Sequence, residues 1–145
     1  MQIRAYHHDD WPAWLRMSVA LFPDSEAEEL ATGMHEFLLQ RDTALFVAER
    51  PDASVAGFVE VGTRPYADGC LTSPVGYVEA WYVDLDVRRT GYGRALLAAA
   101  EEWARGLGCR EIASDALLDN DISHAAHRRA GYEEVERIVQ FRKSL

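Results

Sequence analysis

Residues 78–97 read VEAWYVDLDVRRTGYGRALL, an apolar run followed by a basic turn with two glycines and then a helical pattern. The apolar run predicts a strand, and Gly91 and Gly93 allow a tight turn and a close approach of the backbone to a ligand. The first N–H groups of the following helix, with the positive end of its dipole, would point at the same spot. This stretch therefore predicts a strand, a turn and a helix that bind a phosphate or pyrophosphate.

The spacing of this turn disfavours two common nucleotide-binding motifs. Arg88-x-x-Gly91-x-Gly93 is shorter than a Walker A loop and lacks the Lys-Ser or Lys-Thr pair at its end, which disfavours a P-loop NTPase. It also lacks the third glycine of the dinucleotide fingerprint. Because a glycine turn before a helix is also an ordinary strand–helix connection, the rest of the chain has to decide between the two interpretations.

The composition predicts one domain of ordinary size. The chain has 145 residues, 48% of them hydrophobic, which is enough for a core without disulfides or metals. Cys70 and Cys109 cannot make a zinc site by themselves and predict free thiols in a reducing compartment. The polar N-terminus lacks a signal-peptide core, and no apolar run reaches the ~18 residues of a membrane span, so we expect a cytoplasmic protein.

The charge of the chain narrows the class of partner. A net charge of −9 disfavours binding to nucleic acid and to anionic membranes, and it weakly favours a cationic partner. The alternative is that the chain is simply one of many acidic soluble proteins.

Hydrophobic periodicity and turn residues predict the element order βααβββαβαβ, with helices packed on a mixed sheet. A whole helix separates the strand at 111–115 from the central strand, which predicts that these two strands are parallel. The predicted loop from Thr63 to Pro74 has a length that is often functional. The other predicted strands are residues 2–6, 43–49, 55–61 and 133–142, and the predicted helices cover about 11–22, 25–38, 92–107 and 121–128.

Two motifs of the chain resemble those of the GNAT superfamily of N-acetyltransferases. The glycine turn resembles the acyl-CoA loop Arg/Gln-x-x-Gly-x-Gly/Ala, and residues 120–132 resemble a second motif, Asn120-x-x-Ser123-x-x-x-His127-x-x-x-Gly131-Tyr132. The resemblance implies a single GNAT domain over residues 1–145. It also implies an α+β fold with a mixed, mostly antiparallel central sheet, a splayed parallel strand pair and flanking helices.

The same resemblance implies acetyl-CoA as cosubstrate and no metal. The strand before the loop would pair with the pantetheine arm through its backbone at Tyr82 and Val83. The family most often has tyrosine where His127 stands, and that tyrosine is its usual candidate to protonate the CoA thiolate. His127 is therefore a candidate general acid, or a residue that only lines the CoA channel or the helix surface. The implied cofactor-binding residues are Tyr82, Val83, Arg88, Arg89, Gly91, Tyr92, Gly93, Arg94 and Asn120.

Nearly the whole chain resembles the chromosomal-type aminoglycoside 6′-N-acetyltransferases, most clearly at Glu79 and at residues 66–70, 73–75, 108–115, 131–137 and 141–143. Enzymes of this type move an acetyl group from acetyl-CoA to the 6′-amine of kanamycin- or neomycin-like antibiotics. The resemblance thus implies antibiotic resistance as the function, and a homodimer. Its implied substrate-binding residues are Phe22, where the family often has tryptophan, and Tyr66, Glu79, Asp115 and Glu136.

The positions of the acidic residues agree with a cationic substrate. Glu79 lies on the central strand and Asp115 at the carboxyl end of the adjacent parallel strand, so both can face the crevice where sheet ligands bind. Carboxylates held around a polyamine sugar give charge-assisted hydrogen bonds of about 1.5–3 kcal/mol each. Each acid also has a structural interpretation: Glu79 could pair with an arginine, Asp115 could cap a loop, and Glu136 could lie on a solvated strand face.

The reaction needs a neutral amine, because an alkylammonium with a pKa near ~10 has no lone pair to attack the thioester. We expect Asp115 or Glu79, directly or through a water, to act as the base, and the N–H of Val83 to stabilise the oxyanion. Two alternatives stay open. One is an acetyltransferase for a metabolic polyamine or a protein amine, and the other is an acyl-CoA-binding module without catalysis.

Overall fold

The computed structural model describes every residue from Met1 to Leu145 and shows five strands and four α-helices. No helix in it combines the length and the apolar character that a membrane crossing requires. The strands are β1 (Gln2–Ala5), β2 (Thr43–Glu49), β3 (Val55–Arg64), β4 (Val75–Val83) and β5 (Ile112–Ser114), and the helices are α1 (Trp11–Leu21), α2 (Ala27–Leu39), α3 (Tyr92–Gly106) and α4 (Asp121–Arg129).

The five strands form one sheet in the order β1-β2-β3-β4-β5. Neighbouring strands are antiparallel except for β4 and β5, which run parallel over Gly76–Val78 and Ile112–Ser114. The long crossover through α3 makes that pair parallel, because an antiparallel return would need only a short turn. The predicted α+β architecture with one parallel pair is confirmed.

Apolar clusters on both faces of the sheet hold the helices in place. On one face α1 and α2 pack on β2, β3 and β4 through a cluster that includes Trp14, Met17, Phe37 and Phe58. On the other face α3 packs through Leu96, Leu97 and Ala100 against valines of β3 and β4. Each face of the sheet is thus covered, and the ends of β4 and β5 remain available for a site.

The predicted final strand, residues 133–142, is wrong. This segment forms no strand and lies exposed after α4, and the sheet order ends at β5. The alternation of apolar and polar residues in the segment is typical of a strand, but a strand needs a neighbour with which to pair its backbone. Within this single chain, β5 is only three residues long and no strand pairs with its outer side.

A β-bulge in the middle of β4 changes the side-chain pattern at one of the predicted site residues. Glu60 of β3 pairs with Ala80, but the next residue, Val61, pairs with Val78, so Glu79 is the extra residue. A bulge leaves one residue unpaired and redirects its side chain, and bulges are common next to active sites.

Candidate active site

The first part of the site is the turn before α3, where the backbone offers unpaired N–H groups. Gly91 precedes the helix with φ of 100°, a left-handed conformation that favours glycine. The N–H of Ala95 is the first to bond back along the helix, to the carbonyl oxygen of Gly91 at 3.0 Å. The three preceding N–H groups, those of residues 92–94, are outside the intrahelical ladder and are available to an anion at the positive end of the helix.

Gly91 and Gly93 are needed for different reasons. A Cβ added at Gly91 would meet no atom within 4 Å, so its positive φ is what requires glycine there. A Cβ added at Gly93 would lie 2.9 Å from Cζ2 of Trp81, so glycine at 93 lets α3 approach the indole ring. The motif therefore fixes the turn with its first glycine and the packing of the helix against β4 with its second.

The arginines of the turn also hold the loop in place. Nε of Arg88 donates to the carbonyl oxygen of Val83 at 2.8 Å, and its guanidinium carbon lies 5.5 Å from the ring centroid of Tyr82. Arg94 donates to the carbonyl oxygen of Arg129 at 2.9 Å, which ties the start of α3 to the end of α4. Arg88 and Arg94 thus contribute positive charge while their positions are fixed by backbone carbonyls.

The second part of the site is the open edge of β4. Beyond Val78, β4 has no partner on the β5 side, because β5 ends at Ser114. The N–H of Asp84 bonds to the carbonyl oxygen of Ala56 on β3 at 2.7 Å. Since the bonding direction alternates along an antiparallel pair, the backbone groups of residues 81 and 83 face the open edge and those of residue 82 face β3.

This alternation favours Trp81 and Val83, rather than Tyr82, as backbone partners for an extended ligand. The N–H of Val83 is suited to such a ligand or to an oxyanion. The side chain of Tyr82 instead packs on the α1–α2 face of the sheet, with its ring stacked 6.4 Å from that of Phe58.

The third part of the site is a chain of polar contacts that joins Glu79 to Asp115. Arg64 donates to both carboxylate oxygens of Glu79, with distances of 2.9 to 3.1 Å. The guanidinium carbon of Arg64 lies 3.4 Å from the ring centroid of Tyr77, and the Tyr77 hydroxyl donates to Oδ2 of Asp115 at 2.5 Å. The two predicted acidic residues therefore belong to one network, and the two residues that connect them, Arg64 and Tyr77, were not predicted from the sequence.

The network leaves Asp115 able to accept a further hydrogen bond. Burial raises the pKa of Tyr77 well above its usual range, and the hydrogen bond to Asp115 and the charge of that carboxylate raise it further. Tyr77 therefore stays a hydrogen-bond donor at neutral pH, and it holds one carboxylate oxygen of Asp115. The other oxygen, Oδ1, is free to accept from an amine.

Glu79 is paired with an arginine, which was the structural interpretation considered above. Its side chain is still about one-third exposed (34%), so the pair lies at the surface of the cleft. A cationic group that binds there shares Glu79 with Arg64, and the pairing holds the carboxylate in one orientation.

The remaining predicted substrate residues, Tyr66, Glu136 and Phe22, lie at the surface of the protein. Tyr66 is 67% exposed, and its hydroxyl donates to Oδ1 of Asp68 at 2.7 Å. This hydrogen bond makes the largest contribution to a raised pKa of Tyr66. The charge of Glu136 raises that pKa too, so the structure brings Glu136 near Tyr66. Phe22 follows α1 and is 42% exposed.

His127 uses both ring nitrogens inside the protein. Nδ1 lies 2.8 Å from the carbonyl oxygen of Ser123, and since a carbonyl only accepts, Nδ1 carries the proton. In the neutral ring, Nε2 then accepts from the hydroxyl of Ser114 at 2.8 Å. Ser114 is the last residue of β5 that pairs with β4, so Ser114 and His127 lie where the strands begin to separate.

Asn120, a predicted cofactor residue, caps α4 by accepting from the N–H of Ser123 at 3.1 Å.

The chain is similar to known proteins in both sequence and structure. The family model described as "Acetyltransferase (GNAT) family" matches residues 3–132. The aminoglycoside N(6′)-acetyltransferase type 1 of Klebsiella aerogenes is 42% identical over 146 aligned residues, which cover 99% of this chain and 96% of the relative.

Two solved structures have the same architecture along almost their whole length. The apo aminoglycoside 6′-N-acetyltransferase AAC(6′)-Ig from Acinetobacter haemolyticus superposes with a TM-score of 0.93 and 35% identity, and the match covers 100% of this chain and 99% of that one. The enzyme AAC(6′)-Iy in complex with the bisubstrate analog CoA-S-monomethyl-acetylneamine superposes with a TM-score of 0.90 and 32% identity, covering 99% and 98% of the two chains.

Proposed function

The chain belongs to the GNAT family of acetyltransferases, and we propose that it transfers the acetyl group of acetyl-CoA to the 6′-amine of aminoglycoside antibiotics. The single observation that carries this proposal is the position of the Glu79–Arg64–Tyr77–Asp115 network beside the open edge of β4. A cationic acceptor and an acyl donor can therefore meet at one place. The activity confers antibiotic resistance, and residues 1–145 act as one catalytic domain.

The residues present fit acetyl-CoA. Gly91 turns the chain so that the N–H groups of Tyr92, Gly93 and Arg94 face the pyrophosphate, and Arg88 and Arg89 stand in the turn before them. Asn120, at the start of α4, is the remaining proposed cofactor residue. The backbone groups of Trp81 and the N–H of Val83 are unpaired on this strand edge and available to the amide groups of the pantetheine arm, whereas the carbonyl oxygen of Val83 already accepts from Arg88. Bound in this way, acetyl-CoA supplies the thioester, and no residue of the chain needs to form a covalent intermediate.

The acidic residues hold and prepare the acceptor. Asp115 accepts a proton from the acceptor amine at Oδ1, directly or through a water, while Tyr77 holds its other oxygen. Glu79, Tyr66, Glu136 and Phe22 orient the cationic sugar around that amine. The N–H of Val83 donates to the oxyanion of the tetrahedral intermediate.

Thiol release distinguishes this function from the two alternatives. When the enzyme is mixed with acetyl-CoA, free CoA should appear faster with kanamycin as the acceptor than with spermidine or a lysine peptide. Faster release with spermidine or the peptide would favour a metabolic or protein acceptor, and no release with any of the three would favour an acyl-CoA-binding module.

The role of His127 is a prediction that mutagenesis can test. In the protonated ring, Nε2 donates to Ser114, so a proton can pass through the Ser114 hydroxyl to the departing thiolate. His127→Ala should lower kcat about 10²-fold, the usual contribution of a general acid.

The matched control is His124→Ala, one turn earlier on the same helix, where the ring contacts the Leu117 carbonyl oxygen instead. It should keep the wild-type kcat. If His127→Ala turns over at the wild-type rate across the pH range, the thiolate is protonated by water or by another group.

A homodimer in the cytoplasm is part of this proposal. The cysteines are both free thiols, as expected for a reducing compartment in which acetyl-CoA is available. The segment that follows α4 offers apolar surface for a partner copy, since Val135, Val139 and Phe141 are 62%, 71% and 93% exposed. Large apolar side chains that one segment leaves exposed can be buried by a partner copy.

Charged substitutions in this segment test the dimer. Val139→Asp with Phe141→Asp should convert a dimer to a monomer, because buried carboxylates at an interface are costly. Light scattering after size-exclusion chromatography measures the mass. Leu39→Asp, which is 85% exposed at the end of α2, should leave the dimer unchanged. A wild-type monomer, or a dimer that survives the double change, would contradict this part of the proposal.

A further inference from the structure

A cavity of about 160 Å³ opens between α1, α2 and β3. Its walls are mostly the side chains of Phe22, Leu30 and Met34, and Glu29 is the charged residue that α2 contributes. This volume is large enough for several waters or for part of a sugar ring. Apart from Phe22, none of the residues that line it has a role in the proposed reaction.

Glu60 places a carboxylate in this cavity. It belongs to β3, where its neighbours Val59 and Val61 are fully buried and face the α3 side of the sheet, so Glu60 faces α1 and α2. Nε1 of Trp14 donates to Oε1 of Glu60 at 3.1 Å, and this is its one hydrogen bond within the protein. Oε2 is therefore free to accept from an occupant of the cavity.

The cavity lies next to the acceptor side of the active site. Phe22, a predicted substrate residue, forms part of its wall. Glu60 pairs across the sheet with Ala80, next to the bulged Glu79, and the charge of Glu79 acts on Glu60. Asp115 follows β5, two strands away from β3, which corresponds to about 10 Å at the usual strand spacing.

We propose that this cavity is a second ammonium subsite, in which Glu60 binds an amine of the acceptor other than the one that is acetylated. The proposal rests on the proposed function and adds a specificity residue to it. A partly buried carboxylate with a free oxygen selects a cation, and the apolar wall fits the carbon face of a ring that carries the amine. The separation from Asp115 requires an acceptor with at least two amines on a rigid frame.

The ionisation of Glu60 gives the subsite a pH signature. Burial raises the pKa of Glu60 to about 7, the hydrogen bond from Trp14 lowers it, and the charge of Glu79 raises it. The charged groups that face it are Glu79 from β4 and Glu29 from α2, while α1 contributes only Trp14 and Ser18. The folded state therefore holds the proton of Glu60 more tightly than the unfolded chain, whose pKa is 4.5. The contribution of this group to folding stability is fully present below pH 4.5 and is lost as the pH rises through about 7.

An ammonium in the cavity stabilises the ionised carboxylate, so binding should release a proton near neutral pH. Between pH 6 and pH 8 the ionised fraction of a group with a pKa of about 7 rises from about one-tenth to about nine-tenths. The contribution of Glu60 to kanamycin affinity should therefore rise about tenfold over this interval.

The experiment compares Glu60→Gln with wild type, using kanamycin as the probe. The variant keeps an oxygen that accepts from Trp14 but loses the negative charge. The KM for kanamycin should therefore rise about tenfold at pH 8, and most of the pH dependence of this KM between pH 6 and 8 should disappear. Calorimetry in two buffers of different ionisation enthalpy should show less proton release near pH 7 in the variant. Glu36→Gln, exposed on α2 and outside the cavity, should match wild type.

A second variant tests the cavity without changing Glu60. Gly33 lies in its wall, and a Cβ added there meets no atom within 4 Å, so Gly33→Leu fills the space while favouring the helix. It should raise the KM for kanamycin and leave the KM for acetyl-CoA unchanged. If both variants keep the wild-type KM and its pH dependence, the subsite is wrong while the acetylation stands. A wild-type enzyme that does not acetylate kanamycin overturns the proposed function, and the subsite with it.

Discussion

Asp115→Asn and Glu79→Gln are each expected to lower the turnover of kanamycin about tenfold or more while acetyl-CoA binding survives. Both changes keep the size of the side chain and delete its charge. A charge-assisted contact of about 1.5–3 kcal/mol corresponds to one or two decades in affinity or rate. Steady-state kinetics with kanamycin and calorimetry with acetyl-CoA measure the two effects separately.

The loss of kanamycin affinity should be larger for Glu79→Gln, whereas Asp115→Asn also removes the proposed base and should lower kcat more. Arg64 forms its ion pair with Glu79, so the variant leaves a guanidinium that is not neutralised beside the acceptor. That charge repels an incoming ammonium group, in addition to the lost attraction. Asp115→Asn leaves no cation without its ion-pair partner, because the hydrogen-bond partner of Asp115 is the neutral hydroxyl of Tyr77.

Salt provides an internal check on this electrostatic explanation. Raising the ionic strength should weaken kanamycin binding to wild type more than to either variant, because screening acts on the attraction that the variants have lost. Asp119→Asn, an exposed acid in the loop before α4, is the matched control and should behave like wild type. Variants that match wild type in turnover and in salt dependence would remove these acids from the acceptor site and favour a different acceptor.

Gly91→Val should weaken acetyl-CoA binding about tenfold or more in a protein that still folds. A β-branched residue at φ of 100° is strained by an amount on the order of 1–3 kcal/mol, so the turn moves and the N–H groups of residues 92–94 lose their common direction. Calorimetry with acetyl-CoA measures the loss.

Gly106→Val is the matched control at the other end of α3. A Cβ at Gly106 meets no atom within 4 Å and its φ is not in the left-handed region, so the variant should bind acetyl-CoA as wild type does. A folded Gly91→Val protein with unchanged affinity would show that the turn is not part of the cofactor site.

The sequence predicted the fold because its decisive signals are local. The strand, the turn with Gly91 and Gly93, and the helix after it are contiguous, and the parallel β5 follows from the length of the crossover. The strand expected at 133–142 failed because pairing is not local. Its alternating pattern is real, but no strand of the same chain pairs with it.

The site could be predicted only where its residues stand in motifs. Glu79 and Asp115 were found through the family resemblance, whereas Arg64 and Tyr77, which connect them, belong to no motif and are recognised only from their contacts. Ser114 was missed because its significance depends on the ring of His127, 13 positions away. Glu60 could have been recognised from the sequence, because it is the single acidic residue inside the apolar run 55–61, which is unusual for a buried strand.

The position of the acetyl group on the product tests the central claim most directly. Kanamycin, acetyl-CoA and the enzyme are incubated until thiol release is complete, and the product is examined by mass spectrometry and NMR. The account predicts one added acetyl group, on the 6′-nitrogen, with one CoA released for each kanamycin consumed. Unchanged kanamycin, or an acetyl group on any other nitrogen, would contradict it.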